Sequence, residues 1–404
     1  MPSKKSMARG ASTWLKTRDN ETLSAACNRS KAESKKGKTK RQRPKTMAEL
    51  ADKHQLYQQA VQHPRKEVRN LDSIYRKLSS RYLDHSIGGS SPKSKKGQVA
   101  PEDSSENASG KSEDDTDYGY VGRRQAQSLR EDFCGTAVLC AEWVNSASSA
   151  NRYAYGVDID PEVIEYAKKH TVEQQDSLDS AVDDRITLVC ADVLDVHGDD
   201  NRAQEDSEHA GERIVPRVDI IASFNYAMCY FHKRCDLVRY MRHSLGNLND
   251  FGLLFCDLFG GHEAVRSGVT RVRNVGSFKY HFRQNGYDLM RGTIRFSLSF
   301  RMQDGSMLKD CFTYDFRVYS LCELREAMLE AGFDDVCVWI STKNNLDSSD
   351  DSEKETESSC SESEDGRRGS ADFGEFEELV SPAEMPESFN AYVIGVKLPA
   401  NETD

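Results

Sequence analysis

Four places in this chain set an acid or a small polar residue where an apolar run gives way to a helix-forming stretch. This is where a strand tip meets a ligand. The first reads Leu129-Arg130-Glu131-Asp132-Phe133-Cys134-Gly135-Thr136-Ala137: a strand, two acids, one glycine, then a helix. Gly135 lets a backbone approach a ligand, and the following helix offers unpaired N–H groups. The second, Gly156-Val157-Asp158-Ile159-Asp160-Pro161, puts a carboxylate at the next tip with Pro161 at a helix start. A carboxylate there commonly accepts hydrogen bonds from two ribose hydroxyls. Cys190-Ala191-Asp192-Val193 is the third and Ser223-Phe224-Asn225-Tyr226 the fourth. The chemistry in view is binding of a nucleoside across several strand ends.

Each residue also has a plainer use. Asp158 and Asp192 are of the type that caps helices and turns, and Cys134 is of the type that packs as a small apolar group. Glu131 and Asp132 together resist such a reading, because adjacent carboxylates at a buried tip destabilise the fold unless donors or a cation satisfy them. His232, His262 and His281 lack metal-ligand spacing, and none of the eleven cysteines forms a CxxC pair. No metal is expected, and the thiols read as reduced, in cytoplasm or nucleus.

The elements needed to position these tips are legible as apolar strands alternating with amphipathic helices. QSLREDF leads into TAVLCAEWVNSA, YAYGVDI into PEVIEYAKKHTVEQQ, and ITLVCADV into a polar loop. VDIIASF leads into CDLVRYMRHSLGNL, and GLLFCDLF closes the series. Strands apolar throughout predict a parallel sheet covered on both faces, hence an α/β doubly wound domain. From residue 277 to 319 the period becomes two, in FKYHFRQ, TIRFSLSFRM and CFTYDFRVY, with Asn285-Gly286 and Asp304-Gly305 as the turns between them. An antiparallel addition is expected there. The helix LCELREAMLEAGF ends at Gly332, and VCVWIS and FNAYVIGVK are the last strands.

Composition bounds the rest. Only 37% of 404 residues are hydrophobic and 30% are charged, too polar for the whole chain to pack into a core. Residues 1–45 hold fourteen Lys and Arg against three acids, a basic tail that leaves nucleic acid open as a partner. Two further polar segments interrupt the chain, the second strongly acidic and serine-rich. The expected organisation is a disordered basic tail over 1–46, N-terminal helices broken near Pro64 over 47–85 and a disordered insertion over 86–122. The main domain follows over 123–345, then a disordered acidic insertion over 346–387 and a final strand and tail over 388–404. No apolar window is long enough for a membrane span, so no membrane partner is expected, and the chain is expected to be a monomer. A net charge of -11 argues against a general polyanion binder.

The first motif, LREDFCGT, with Asp52 to Gln62 (DKHQLYQQAVQ) ahead of it, resembles a branch of the class I S-adenosylmethionine-dependent methyltransferases. The resemblance covers roughly residues 47–82, 125–340 and 388–398. Phe133 and Ala137 stand where the wider family carries glycines. The resemblance implies a Rossmann-like methyltransferase fold with a mostly parallel seven-stranded sheet, and S-adenosylmethionine as cofactor. It implies that Glu131 faces the methionine amino group and that Phe133, Cys134, Gly135 and Thr136 form the loop against the cofactor. Asp158 would take the ribose hydroxyls, Ile159 would pack on the adenine, and Asp192 and Val193 would meet its edge. Phe224, Asn225 and Tyr226 would lie beside the sulfonium, with Asn225 and Tyr226 as the catalytic candidates. The antiparallel residues Tyr280, Gln284, Arg295, Tyr314, Asp315 and Arg317 would belong to a lid that shapes acceptor choice.

The expected activity is methyl transfer to an unidentified acceptor, a small molecule being favoured because lid-like strands would enclose a compact pocket. Two alternatives stand beside it. A nicotinamide-dependent oxidoreductase would need the glycine pair of GxGxxG, which the first loop lacks. A non-catalytic scaffold on the same fold would have no use for so many strand-end acids.

Overall fold

The computed structural model describes residues 43–87, 125–146, 151–173, 183–197, 215–341 and 376–400. Residues 1–42 of the expected basic tail, 88–122 of the expected insertion and most of the acidic insertion lie outside these residues, while residues 86–87 of that insertion end a helix. Residues 46–404 form one unit by their contacts.

Three helices come first: α1 (Met47–Leu50), α2 (Lys53–Val61) and α3 (Pro64–Ile87). Thr46 and Glu49 cap α1 reciprocally, the Asp52 side chain caps α2, and Pro64 opens α3, where its missing N–H is no loss. The alternating region follows as β1 (Ser128–Asp132), α4 (Val138–Asn145), β2 (Tyr153–Asp158), α5 (Pro161–Ala167), β3 (Ile186–Cys190), β4 (Val218–Ser223), α6 (Arg234–Gly246) and β5 (Leu248–Gly260). Then come β6 (Val269–Asn274), β7 (Phe278–Asp288), β8 (Thr293–Met302) and β9 (Met307–Arg317). The described chain closes with α7 (Leu321–Ala331), β10 (Asp335–Ser341), β11 (Glu377–Glu378) and β12 (Phe389–Val396).

The large sheet runs β11-β10-β12-β5-β4-β1-β2-β3. Pairing is parallel from β3 through β2, β1 and β4 to β5, and antiparallel where β12 joins β5 and β10. This is the doubly wound, mostly parallel Rossmann-like sheet that the apolar strands predict, with the two-residue β11 added at the edge. Every residue of β4 is buried because helices cover both faces. On one face lie Leu237, Tyr240 and Met241 of α6 with Leu324 and Met328 of α7; on the other lie Leu71, Ile74 and Leu78 of α3 with Leu139 and Trp143 of α4. The order reverses between β1 and β4, so the cleft of such a fold opens at the carboxyl tips of β1, β2 and β4.

The antiparallel addition is a separate four-stranded sheet, β6-β7-β8-β9, inserted between β5 and α7. It corrects the sequence expectation in two ways. Asn285-Gly286 is no turn: it forms a bulge within β7, where the register slips between Gln284 and Tyr287, and the chain reverses at Leu289–Gly292. β6 is an additional strand. Its half-buried positions are Val269, Arg271 and Arg273 while Val272 is exposed, so its alternation does not follow hydrophobicity. Arg271 pairs with Glu263, and Arg273 bonds the Ala60 carbonyl over the Tyr280 ring. The Asp304-Gly305 turn stands as expected, with Gly305 at φ 81. The inner face of this sheet packs Phe278, Tyr280, Leu298 and Phe300 against Leu56 and Ala60 of α2.

Candidate functional site

Strand alternation divides the two acids of β1. Asp132 points with Arg130 to the α6 face, where its carboxylate accepts from Arg130 Nε at 2.6 Å and from the Tyr240 hydroxyl at 2.8 Å. Arg130 also donates to the Val193 carbonyl at 3.0 Å. All three side chains are buried, so this is a structural ion pair tying β1 to α6 and to the turn after β3. Glu131 points to the opposite face, 4% exposed, and accepts from the Cys140 N–H at 3.3 Å and the Cys140 thiol at 3.1 Å. Burial pushes its carboxyl up to about 8, and the nearby acids Glu67 and Asp158 add to the rise.

The loop after β1 takes a conformation its sequence conceals. Phe133, Gly135 and Ala137 sit at φ 60, 53 and 55, the left-handed region where only glycine rests without strain. The chain thus adopts a glycine-loop path with one glycine. The Cys134 N–H donates to the Val157 carbonyl and the Ala137 N–H to the Cys134 carbonyl, which closes the turn. Phe133 is held by aromatic contacts, with ring centroids 5.9 Å from Tyr240 and 6.1 Å from Phe231.

Asp158 at the β2 tip accepts from the Gly135 N–H at 2.9 Å and the Asp160 N–H at 3.0 Å. Burial raises its carboxyl. The 133–137 loop is thus tied to the β2 tip through Asp158, and Glu131 lies close enough to Asp158 for that acid to raise its carboxyl. Ile159 beside them is 40% exposed, an apolar face turned to solvent at the cleft's edge. At the β3 tip, Asp192 accepts from the Leu194 N–H at 3.0 Å, the turn-capping use open to it from sequence, and Val193 is buried.

After β4, Asn225 and Tyr226 are both left-handed, at φ 58 and 60. Two such residues in succession need an external tie, and Asp257 of β5 supplies it: its carboxylate accepts from the Tyr226 N–H at 2.7 Å and from the Asn225 N–H. Burial pushes the Asp257 carboxyl well up. The Tyr226 hydroxyl donates to Asn390 at 2.7 Å, and Phe224 lies buried 5.5 Å from the Tyr392 ring.

Helix α2 spans the tips, a placement the sequence reading did not assign. Gln58 donates to the Thr136 hydroxyl at 2.9 Å, and the Tyr57 hydroxyl reaches Asn225 at 3.4 Å. At its N-terminus Asp52 accepts from the Tyr166 hydroxyl at 2.9 Å. Tyr57 packs on Phe312 of β9, and burial pushes its phenol up to about 12. Of the residues assigned to a lid, Tyr280 and Tyr314 pack on this inner side. Gln284 bonds the Glu263, Ala264 and Arg266 carbonyls, and Arg295 pairs with Asp315 on the outer side. Arg317 donates to the His232 carbonyl.

Beside the β4 turn lies a cavity of about 60 Å³ lined by His63, Glu67, Asn70, Tyr226, Asp257 and Asn390 among others. Burial raises Glu67 to about 7. The sequence signal for Glu67 and Asp257 was weak: one sits on a helix remote from the motifs, the other inside an apolar strand. Among the described residues no group of three or more His, Cys, Asp or Glu could hold a metal ion, and no helix is long and apolar enough to cross a membrane.

A doubly wound sheet of this kind is an open α/β fold, whose ligands bind outside the carboxyl ends of the strands where the order reverses. Among solved structures the chain is similar to an S-adenosylmethionine-dependent methyltransferase from Clostridium acetobutylicum, with 12% identity, 67% of this chain and 84% of that one covered, and a TM-score of 0.41. It is also similar to a methyltransferase from Streptomyces caelestis, with 11% identity, 67% and 89% covered, and a TM-score of 0.43. A third is an amino pentose methyltransferase from Micromonospora echinaspora, with 10% identity, 71% and 89% covered, and a TM-score of 0.42. The sequence matches no family model and no curated protein.

Proposed function

We propose that this chain transfers a methyl group from S-adenosylmethionine to a small-molecule acceptor. The observation that carries the reading is the bond from the Gly135 N–H to Asp158 Oδ2, which joins the loop after the first strand to the tip of the second. S-adenosylmethionine supplies a carbon bonded to a positively charged sulfur, so the leaving group needs no acid from the protein.

The residues fit that group. Asp158 retains lone pairs for two ribose hydroxyls while holding the loop, and exposed Ile159 offers the adenine an apolar face. Asp192 and the backbone at Val193 border the adenine edge. Phe133, Cys134, Gly135 and Thr136 form the loop that the methionine portion lies against, and Glu131 answers its ammonium. Asn225 and Tyr226 border the transferring carbon, with Phe224 packed behind them. Alignment of this kind supplies about 7–11 kcal/mol in favourable cases. Where the acceptor carries a proton, Glu67 is the group placed to take it, since its carboxyl lies near neutrality in the adjoining cavity.

Thermal unfolding with S-adenosylmethionine, S-adenosylhomocysteine and NAD tests the reading. The first two should raise the midpoint, and Asp158→Ala should remove most of that rise while the protein still unfolds cooperatively. A shift with NAD alone would favour an oxidoreductase. No shift with any of the three would favour a scaffold.

A further inference from the structure

The outward face of the antiparallel sheet takes no part in the proposed reaction. Strand alternation turns Lys279, His281 and Arg283 of β7 outward, together with Arg295, Ser297, Ser299 and Arg301 of β8. Lys279 stands directly opposite Arg301. Like charges so placed repel instead of stabilising the pair, which leaves a standing demand for an anion. His281, opposite Ser299, lies in the next row. Its imidazole is held below the usual range first by burial and then by the Arg301 and Lys279 charges, and its Nε2 is buried with no partner.

The middle of the face is low and polar. Ser297 and Ser299 are 5% and 8% exposed although they point outward, so longer neighbours rise around them. Lys279, Arg283 and Arg301 are exposed and form those walls. Of the acids on this side, Asp315 is paired with Arg295 at 3.3 Å and Asp288 with Arg291 at 3.7 Å, while Asp310 lies beside Ser299, to whose hydroxyl its N–H donates. The result is a hydroxyl-floored trough with cationic walls. Lys279 and Arg283 lie about 14 Å apart along the strand at ~3.4 Å per residue, so the cations run along the trough and are not gathered at one point.

The end of this face beside Arg301 also carries the start of α1. The Met47 N–H donates to Asp304 and the Ala48 N–H to Ser306, so the β8–β9 turn, next to Arg301, holds the start of α1. The net charge of -11 describes the whole chain and leaves the local field of Lys279, Arg283 and Arg301 in place. A bilayer surface suits the face less well. Its one exposed large apolar side chain is Val272, while exposed Leu289 and Met290 sit at the β7–β8 turn, the far end from Lys279 and Arg301.

We propose that the outward face of β7 and β8 docks a single nucleic-acid strand through its phosphates, with Lys279, Arg283 and Arg301 as the contacts. The face lies on the reverse side from the cleft, so the strand is an anchor and not the methyl acceptor.

Fluorescence anisotropy of a labelled oligouridylate with the full chain, across a salt series, tests this. Binding should weaken with salt, and Lys279→Gln, Arg283→Gln and Arg301→Gln combined should raise Kd roughly tenfold or more. The combined variant should lower the slope of log Kd against log salt by about 2, from ~0.7 per lost phosphate contact on a single strand. Lys279→Gln alone removes a repulsion, so it should keep the wild-type thermal midpoint and show about a third of the slope change. The proposal falls if the full chain does not bind the oligouridylate. It falls equally if the combined variant binds with wild-type Kd and slope, which would assign binding to residues 1–45 alone, or if phosphatidylserine vesicles are bound and RNA is not. None of these outcomes bears on the methyltransferase reading.

Discussion

Glu131 makes the sharpest test of the proposed site, because its charge state in the ligand-free protein is the opposite of what the cofactor needs. Burial raises its carboxyl to about 8, so near pH 7 the group is mostly protonated. A bound ammonium favours the carboxylate, so binding should release a proton. If ionisation of this one group limits binding, the anionic fraction is about 0.01 at pH 6 and about 0.5 at pH 8, and affinity for S-adenosylmethionine should rise roughly 50-fold between them. That is about 2 kcal/mol. Folding stability of the ligand-free protein should move the other way. A carboxyl raised above its unfolded value contributes stability that is fully present below about 4.5 and is lost as pH climbs through about 8. Titration calorimetry in buffers of different ionisation enthalpy counts the proton, and chemical unfolding across the same window gives the opposing slope. Glu131→Gln should reduce both, leaving the dependence that comes from Glu67, whose carboxyl is raised to about 7, and from the raised carboxyls of Asp158 and Asp257. An affinity that does not change from pH 6 to pH 8, or slopes that Glu131→Gln leaves undiminished, would refute the assignment of Glu131 to the cofactor's cation.

Three further outcomes follow from the geometry. Asp132→Ala strips the buried Arg130 of its carboxylate partner and should cost about 3–5 kcal/mol of stability by denaturant unfolding, far more than Asp192→Ala at its half-buried turn. Gln58→Ala removes the contact between α2 and Thr136; S-adenosylhomocysteine should dissociate faster in stopped-flow measurement while the unfolding midpoint changes by less than about 1 kcal/mol. Phe133→Gly relieves about 1–2 kcal/mol of left-handed strain but loses a ring packed on Tyr240 and Phe231, a large-to-small change of about 3–5 kcal/mol. Net destabilisation of roughly 1–4 kcal/mol is expected, and a more stable variant would show that the ring does not hold the loop.

The sheet was legible because its signal is one-dimensional. Strands such as Val218–Ser223, buried on both faces, read as unbroken apolar runs whatever their partners are. β6 failed the same test because its half-buried positions include arginines satisfied by Glu263, by the Ala60 carbonyl and by the Tyr280 ring. Those partners are remote in sequence, and no local period records them. Asn285-Gly286 failed differently. The pair has the chemistry of a tight turn, but left-handed freedom serves a bulge as well, and only pairing with β8 decides between them.

The site divides along the same line. Acids at strand tips could be located from the alternation of elements, but the facing of each depends on strand register. Alternation gave Glu131 to the α4 face, where Cys140 donates to it, and Asp132 to Arg130 and Tyr240. The left-handed loop shows the limit most clearly. A glycine pattern advertises such a path in sequence because glycine adopts it without help. Here Phe133 and Ala137 adopt it because contacts impose it: the Cys134 N–H on the Val157 carbonyl, the Gly135 N–H on Asp158, and the Phe133 ring between Tyr240 and Phe231. Asn225 and Tyr226 repeat the device, with Asp257 supplying the tie from a neighbouring strand. Conformation at both ends of the cleft is thus enforced from outside the motif, and the residues that enforce it belong to the site as much as those that border it.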